Sequence, residues 1–366
     1  MTILCYDDAR EAARRRLPHA VFDFIDGGAG AEVTLRANRA AFERLRFHPR
    51  WLVDVSQRET SVVVLGERLS MPVIMAPTGL ARLSHRDGEL AAARAAGAQG
   101  TVFCVSTSSS CSLEEVADVA PGSLWFQLYL WRDLEGVELL VRRAATAGYK
   151  ALVLTIDVPV VGNRERDLRN RASIPPKITL RNALDVCRRP RWAYDYVRGD
   201  KMGFGNLRGD AYPAGGLGDT SATWERFDWL RRIWDGPLVV KGILSADDAL
   251  EATQRGADAV YVSNHGGRQL DSSPGTVDVA TEIVDAVNGR AAILLDGGVR
   301  RGEDVVKACA LGVQACLIGR PWVFALAADG QRGVEAILQN LQVDIARTLA
   351  LVGVPNIGKL SRDALR

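Results

Sequence analysis

Ala292-Ile293-Leu294-Leu295-Asp296-Gly297-Gly298-Val299-Arg300 passes from four apolar residues directly into an acid, two glycines and an arginine. Continuous rather than alternating hydrophobicity suits a strand buried on both faces, as in a parallel sheet covered by helices. Working outward, runs of the same form occur at 72–76, 102–106, 124–127, 151–155, 237–240, 259–263 and 315–318, each followed by a stretch with helical spacing. Their starts recur about every 26 residues, the length of one βα unit, apart from a single gap of about 87 residues after the fourth. Eight such units predict a (β/α)₈ TIM barrel. On this reading 1–366 is a single barrel domain with a helical N-terminal extension over 1–50, an insertion over 170–223 and a C-terminal helix over 333–352.

Composition narrows the partners. The 366 residues are 47% hydrophobic and 25% charged, which allows a sizeable core and excludes disorder as the dominant state. Forty-six basic against 44 acidic residues leave a net charge of +2, too little for a broad polyanion-binding field, so nucleic acid is excluded as a partner. Six cysteines without a C-x-x-C, and no Cys/His pair at zinc spacing, predict free thiols, no metal site and a reducing setting. Asp7, Asp8 and Glu11 interrupt the N-terminus, no apolar h-region follows, and no run reaches a membrane-spanning length, so a cytoplasmic location is expected. The insertion stands apart, with Pro175-Pro176, the basic-aromatic Arg188-Arg189-Pro190-Arg191-Trp192 and a glycine-rich stretch over 199–218. Its length predicts a lid, a contact surface or a disordered segment.

In such a barrel the chemistry sits at the carboxyl ends of the strands, so the residues after each run are site candidates. They are Pro77, Thr78 and Gly79; Ser106 and Ser108; Gln127 and Tyr129; Thr155 and Asp157; Lys241; Ser263 to Arg268; Asp296 to Arg300; and Gly319 with Arg320. The glycines and arginines after strands seven and eight, Gly298, Arg300, Gly319 and Arg320, predict a phosphate cradle, because backbone N–H groups approach freely there and arginine adds a bidentate partner. His265 is one of four histidines and lies three residues before Arg268, which pairs a base with a carboxylate-binding cation. Asp157 is placed to orient it, and Arg164 adds a second cation; His19, His48 and His85 read as structural. The segment from Gly353 to Lys359 has P-loop spacing, but Leu360 replaces the required hydroxyl residue and no strand precedes it. These residues alone also fit a non-redox barrel isomerase or lyase that holds a substrate phosphate.

Ser263-Asn264-His265-Gly266-Gly267-Arg268-Gln269-Leu270-Asp271 is the most specific stretch. With Trp125-Phe126-Gln127-Leu128-Tyr129, Leu154-Thr155-Ile156-Asp157-Val158-Pro159 and Asp296-Gly297-Gly298-Val299-Arg300-Arg301-Gly302, it resembles the FMN-dependent α-hydroxy acid oxidase and dehydrogenase family. The resemblance runs from about residue 17 to 365. It implies FMN as cofactor and oxidation of an L-2-hydroxy acid to the 2-oxo acid, followed by reoxidation by a quinone, dioxygen or another acceptor. It makes His265 the base, Asp157 its partner, Arg164 and Arg268 the carboxylate clamp, and Tyr129 a contact to substrate. Lys241, Gln127, Thr155, Ser106 and the backbone of Pro77, Thr78 and Gly79 would face the flavin ring; Ser263 and Asp296 join the cofactor set, and the cradle takes the phosphate. The stretch 185–199 looks most like mandelate dehydrogenase and the membrane-associated lactate dehydrogenases, which implies peripheral membrane contact; a homotetramer is implied as well. Phe24 stands where the family usually has tyrosine, and Gly79 and Ser108 are small, so the pocket is expected to prefer aryl or bulky substrates.

Overall fold

In a computed structural model, residues 2–171, 180–200, 202–207 and 218–366 are described. Eight parallel strands close into a barrel: β1 (Val73–Met75), β2 (Phe103–Ser106), β3 (Leu124–Tyr129), β4 (Ala151–Thr155), β5 (Leu238–Ile243), β6 (Ala259–Val262), β7 (Ala292–Leu295) and β8 (Ala315–Ile318). Neighbours in sequence are neighbours in the sheet, and β8 closes on β1 with Leu317 beside Ile74.

Each of the eight apolar runs coincides with one of these strands, β3 and β5 continuing two and three residues past theirs, and their packing explains the lack of alternation. Ile74, Cys104, Trp125, Val153, Val239, Tyr261, Leu294 and Leu317 fill the barrel interior. Their chain neighbours, such as Met75, Phe103, Phe126, Leu154, Val240 and Val262, pack against the surrounding helices. Both faces are buried, so both sets are apolar. A short hairpin, Val62–Val64 with Glu67–Leu69, is hydrogen-bonded to the barrel interior where the Trp125 indole donates to Glu67 Oε1 at 2.9 Å. Several helices start at side-chain caps: Ser112 and Glu115 form a reciprocal capping box, and Asp133 and Ser245 accept from the amides of Gly136 and Asp248.

The expected N-terminal extension holds three helices, Tyr6–Arg16, His19–Asp26 and Val33–Arg44. The first two pack against the long last helix, where Phe324 meets Tyr6 edge-on at 5.8 Å and Phe22 face-on at 5.6 Å. The expected helix over 333–352 falls in the second of two parts of that last helix. The whole runs over Arg320–Val352 with a break at Asp329 and Gly330, and it ends at Gly353 in the left-handed conformation.

The insertion contributes helices over Leu180–Cys187 and Pro190–Arg198. The expected turn at Pro175-Pro176 and the glycine-rich residues 208–217 lie outside the described residues. One expectation for 185–199 is corrected here. Trp192 is buried: it stacks on Tyr196 at 4.9 Å and donates to the carbonyl of Leu83, so it is not a lipid-facing anchor. Arg189 likewise donates to the carbonyl of Arg15. An indole and a guanidinium that can satisfy their donors on a neighbouring helix end are better placed there than in solvent. Among the described residues, no helix is long and apolar enough to cross a membrane.

Candidate active site

A cavity of about 350 Å³ opens at the carboxyl ends of the strands, within the usual range for a small-molecule site. The loop after β7 contributes Asp296, Gly298 and Arg300, and the loop after β8 contributes Gly319 and Arg320. Gly298 has φ +89°, and a Cβ there would lie 2.4 Å from the carbonyl oxygen of Asn38, so no other residue fits without moving that helix. The Arg300 guanidinium lies over the Tyr6 ring at 4.5 Å. Arg320 is more constrained than its sequence position suggests: its donors reach the carbonyls of Ile25, Gly27 and Gly266 at 2.8 to 3.0 Å. Its guanidinium therefore ties the N-terminal extension to the loop after β6. With no carboxylate in that set, burial lowers its pKa, which marks a place where an anion is welcome.

His265 sits on a turn after β6 in which His265, Gly266 and Gly267 all have positive φ, +58°, +62° and +74°. For a non-glycine residue that conformation is strained, and such strain collects where a side chain must be aimed. His265 Nδ1 lies 2.9 Å from Asp157 Oδ1, while Lys241 Nζ lies 3.4 Å from Asp157 Oδ2 and 3.4 Å from the same ring nitrogen. Burial disfavours charge on Asp157, but His265 and Lys241 outweigh it and hold the carboxyl at about 2. Burial is also the largest influence on His265 and pushes its pKa below the usual 6.5 despite the Asp157 charge. At neutral pH the pair is a carboxylate accepting from Nδ1–H of a neutral imidazole, which leaves Nε2 with a lone pair.

Arg268 and Arg164 lie together on the cavity wall. Arg164 Nε donates to the Arg268 carbonyl at 3.3 Å, and Arg268 Nη1 donates to the carbonyls of Phe24 and Gly27 at 2.6 and 2.9 Å. Burial first, and then the charges of Arg164 and Arg320, push the Arg268 pKa well down. A guanidinium remains protonated regardless, so the physical content is a desolvated cation cluster that an incoming carboxylate would stabilise. The Phe24 ring faces Arg268 with the guanidinium 5.1 Å from its centroid. Tyr129, Pro77, Thr78, Gly79 and Ser108 complete this side, and Gly79 is pressed against Ser108, with room for no Cβ beyond 2.8 Å.

Gln127, Thr155, Asp157 and Ser263 do not line the open cavity. Ser263 is fully buried and its Oγ accepts from the His265 amide at 3.0 Å, so its place is beneath the turn rather than against a ligand. Gln127 accepts from Ser106 Oγ at 2.9 Å, but its Nε2 finds no partner, and neither do Thr155 Oγ1 and Asp296 Oδ1. Buried polar groups are rarely left so, and one of the three, Asp296, lines the cavity while the other two pair in the sheet with residues that line it, which points to a polar molecule that meets them. Tyr6, Val161 and Phe204 also line the cavity and were not legible as site residues. They come from the extension, a loop and the insertion, with no strand end or motif to mark them.

A barrel whose mouth joins glycine-rich loops and their arginines to a histidine–aspartate pair and a buried cation cluster has the groups to hold a small anion beside a base. The chain belongs to the FMN-dependent dehydrogenase family, whose model matches residues 13–366, and it is therefore an FMN-dependent oxidoreductase. It is 44% identical over 354 residues to glycolate oxidase 3 of Arabidopsis thaliana, covering 97% of this chain and 93% of that one. It is 45% identical over 347 residues to L-lactate oxidase of Nostoc sp., covering 94% and 92%. Among solved structures, one described as monotopic membrane protein (S)-mandelate dehydrogenase superposes with a TM-score of 0.95 at 42% identity, over 100% of both chains. Relatives across this range act on 2-hydroxy acids, and 2-hydroxy acid oxidation with FMN is the chemistry of the class.

Proposed function

We propose that this enzyme oxidises an aryl or otherwise bulky L-2-hydroxy acid to the 2-oxo acid, with His265 as the base. The residues fit FMN: Asp296 lines the cavity with one carboxylate oxygen unpartnered, Gln127 and Thr155, also with unpartnered atoms, pair in the sheet with the cavity-lining Ser106, Tyr129 and Lys241, and the cradle at Gly298, Arg300 and Gly319 suits its phosphate. Pro77, Thr78, Ser106, Gln127, Thr155 and Lys241 would hold its ring. FMN, when bound, takes up the two electrons that leave the substrate. An external acceptor, a quinone or dioxygen, then removes them.

On the protein's side, Arg164 and Arg268 hold the substrate carboxylate, and Tyr129 contacts its hydroxyl or carboxylate. His265 Nε2 takes the substrate's proton, and Asp157 stabilises the imidazolium that results. The observation that carries the substrate class is Phe24, whose ring forms an apolar wall beside the Arg268 guanidinium. Val161 and Phe204 are further apolar groups lining the same cavity and Ser108 is a small one, whereas Gly79 does not widen the pocket as expected, because Ser108 already fills the place of its Cβ. Each additional buried CH₂ is worth about 0.8 kcal/mol, so large apolar side chains gain over glycolate and lactate.

Anaerobic bleaching of the flavin against a panel of 2-hydroxy acids, followed by admission of air, tests this. Mandelate-like acids should bleach it with higher kcat/KM than glycolate, and Phe24→Tyr should improve small acids more than aryl ones. A native preference for glycolate would remove the bulky-substrate reading. The rate of recovery in air separates dioxygen from other acceptors.

A peripheral contact with anionic lipid through the insertion keeps support of a different kind from that expected of Trp192. Leu184, Tyr194 and Val197 are exposed, and Arg188, Arg191 and Arg198 are exposed among them. Sedimentation with anionic vesicles at low salt should carry the enzyme down, and high salt should release it; no binding at low salt would leave the segment a solvated cover.

A further inference from the structure

Gln269 lies four residues after His265, and neither the flavin reading nor the substrate reading uses it. Its side chain is buried, at 8% exposure, and both ends of the amide are occupied. Oε1 accepts from the Gly162 amide at 3.2 Å and from Arg164 Nη2 at 3.4 Å. Nε2 donates to the carbonyls of Asp157 and Val160, each at 2.9 Å. Two acceptor sites and two donors are the whole capacity of a primary amide. All four go to the irregular loop between β4 and the helix Glu165–Arg169, which runs from Ile156 to Arg164 and carries Asp157.

A second observation shows how tightly the two loops are joined. A Cβ at Gly162 would lie 2.5 Å from the Arg268 carbonyl and 2.7 Å from that of Gln269, so the loops meet backbone to backbone at this point. One loop holds His265 and Arg268; the other holds Asp157 and Arg164. Sliding one past the other would open the Nδ1 to Asp157 bond and separate the two guanidinium groups together.

We infer that Gln269 is a positioning residue that sets the register between the loops after β4 and β6, so that a single side chain fixes both the His265–Asp157 pair and the Arg164–Arg268 clamp. This rests on the assignment of His265 as the base. Removing the amide leaves the carbonyls of Asp157 and Val160 and the Gly162 amide without their partners, and the loop moves to recover them from water. Asp157 then withdraws from His265. Since the Asp157 charge raises the His265 pKa against burial, and the charges of Lys241 and Arg164 lower it, loss of Asp157 alone moves that pKa down.

The test uses FMN-loaded Gln269→Met, which keeps side-chain length without hydrogen bonds, and Gln269→Asn, which keeps polarity but is one methylene too short. With only four histidines in the chain, histidine-selective NMR titration reads His265 without turnover, and His265→Asn assigns its signal. Expected for both variants are a His265 pKa lower by about one unit, an acid limb of kcat/KM moved to lower pH by the same amount, and a fall in kcat of about 10²-fold, as for a misplacement of about 1 Å. KM should rise with it because the clamp moves too. A variant that merely loosened the fold would lose active fraction and melt earlier with the pKa and the acid limb in place, and that result in whichever variant folds overturns the proposal. If native enzyme shows no acid limb that depends on His265, the base assignment fails instead; a native limb that persists unmoved in the variants sinks the Gln269 proposal alone.

Discussion

His265→Ala is expected to retain FMN and to lose turnover by about 10² to 10⁴-fold, or roughly 2.7 to 5.5 kcal/mol of transition-state stabilisation. Retention is expected because the residues proposed to meet the flavin are others: Gln127, Thr155 and Asp296, with their unpartnered atoms, and the loops after β7 and β8. The backbone at φ +58° is strained for alanine as it is for histidine, so the turn gains no relief and suffers little further cost. Asp157 keeps Lys241 as a counter-charge at 3.4 Å, so the substitution does not strand a carboxylate. What disappears is the lone pair on Nε2. Stopped-flow bleaching under anaerobic conditions reads the reductive step alone, and a mutant that bleaches at close to the native rate would remove His265 from the mechanism. In native enzyme the sign of the pH dependence follows from the same group. The base must be neutral, and burial holds the His265 pKa below 6.5, so kcat/KM should be constant near neutrality and fall only as pH drops through that lowered value.

The barrel was legible because the physics that builds it is local. Each strand is a short run buried on two faces, and a residue such as Val153 inside or Leu154 outside is apolar for separate reasons that leave the same mark on the sequence. The grouping of the candidate residues was legible through position: once the strand ends are located, Asp157, Lys241 and His265 fall at or just past the ends of adjacent strands and meet. Contacts across long sequence separations left no such mark. Arg320 reads as a phosphate ligand from its place after β8, yet its donors hold carbonyls nearly three hundred residues earlier. Trp192 reads as a surface aromatic in a basic stretch, and only the presence of the Leu83 carbonyl and the Tyr196 ring makes burial favourable. Phe204 lines the cavity from a segment without periodicity, so nothing in its neighbours pointed there. Gln269 was visible inside a motif, but an amide's role depends on four partners on another loop.

Asp157→Asn should cost more than the loss of one charge, because the three-way contact with Lys241 decides which way the new amide turns. In native enzyme Asp157 Oδ1 accepts from His265 Nδ1–H at 2.9 Å and Oδ2 accepts from Lys241 Nζ at 3.4 Å. Lysine carries donors only, so the amide oxygen of asparagine is drawn to the ammonium, and the NH₂ group is left facing the ring. Nδ1 must then accept, and the imidazole proton moves to Nε2, the atom that has to take the substrate's proton. The loss of charge acts in the same direction, since Asp157 is the principal group that raises the His265 pKa. With the wrong tautomer and an unsupported imidazolium, a fall in kcat on the order of 10⁴ is expected, as when the orienting carboxylate of a histidine site is made an amide. FMN content should be unchanged, and raising the pH should not restore the rate, because the defect is where the proton sits rather than whether it is present. Asp157→Glu, which returns the charge at imperfect reach, should recover part of the loss. An Asp157→Asn enzyme within tenfold of native, or one rescued at high pH, would mean that Asp157 supports the loop and does not orient the base.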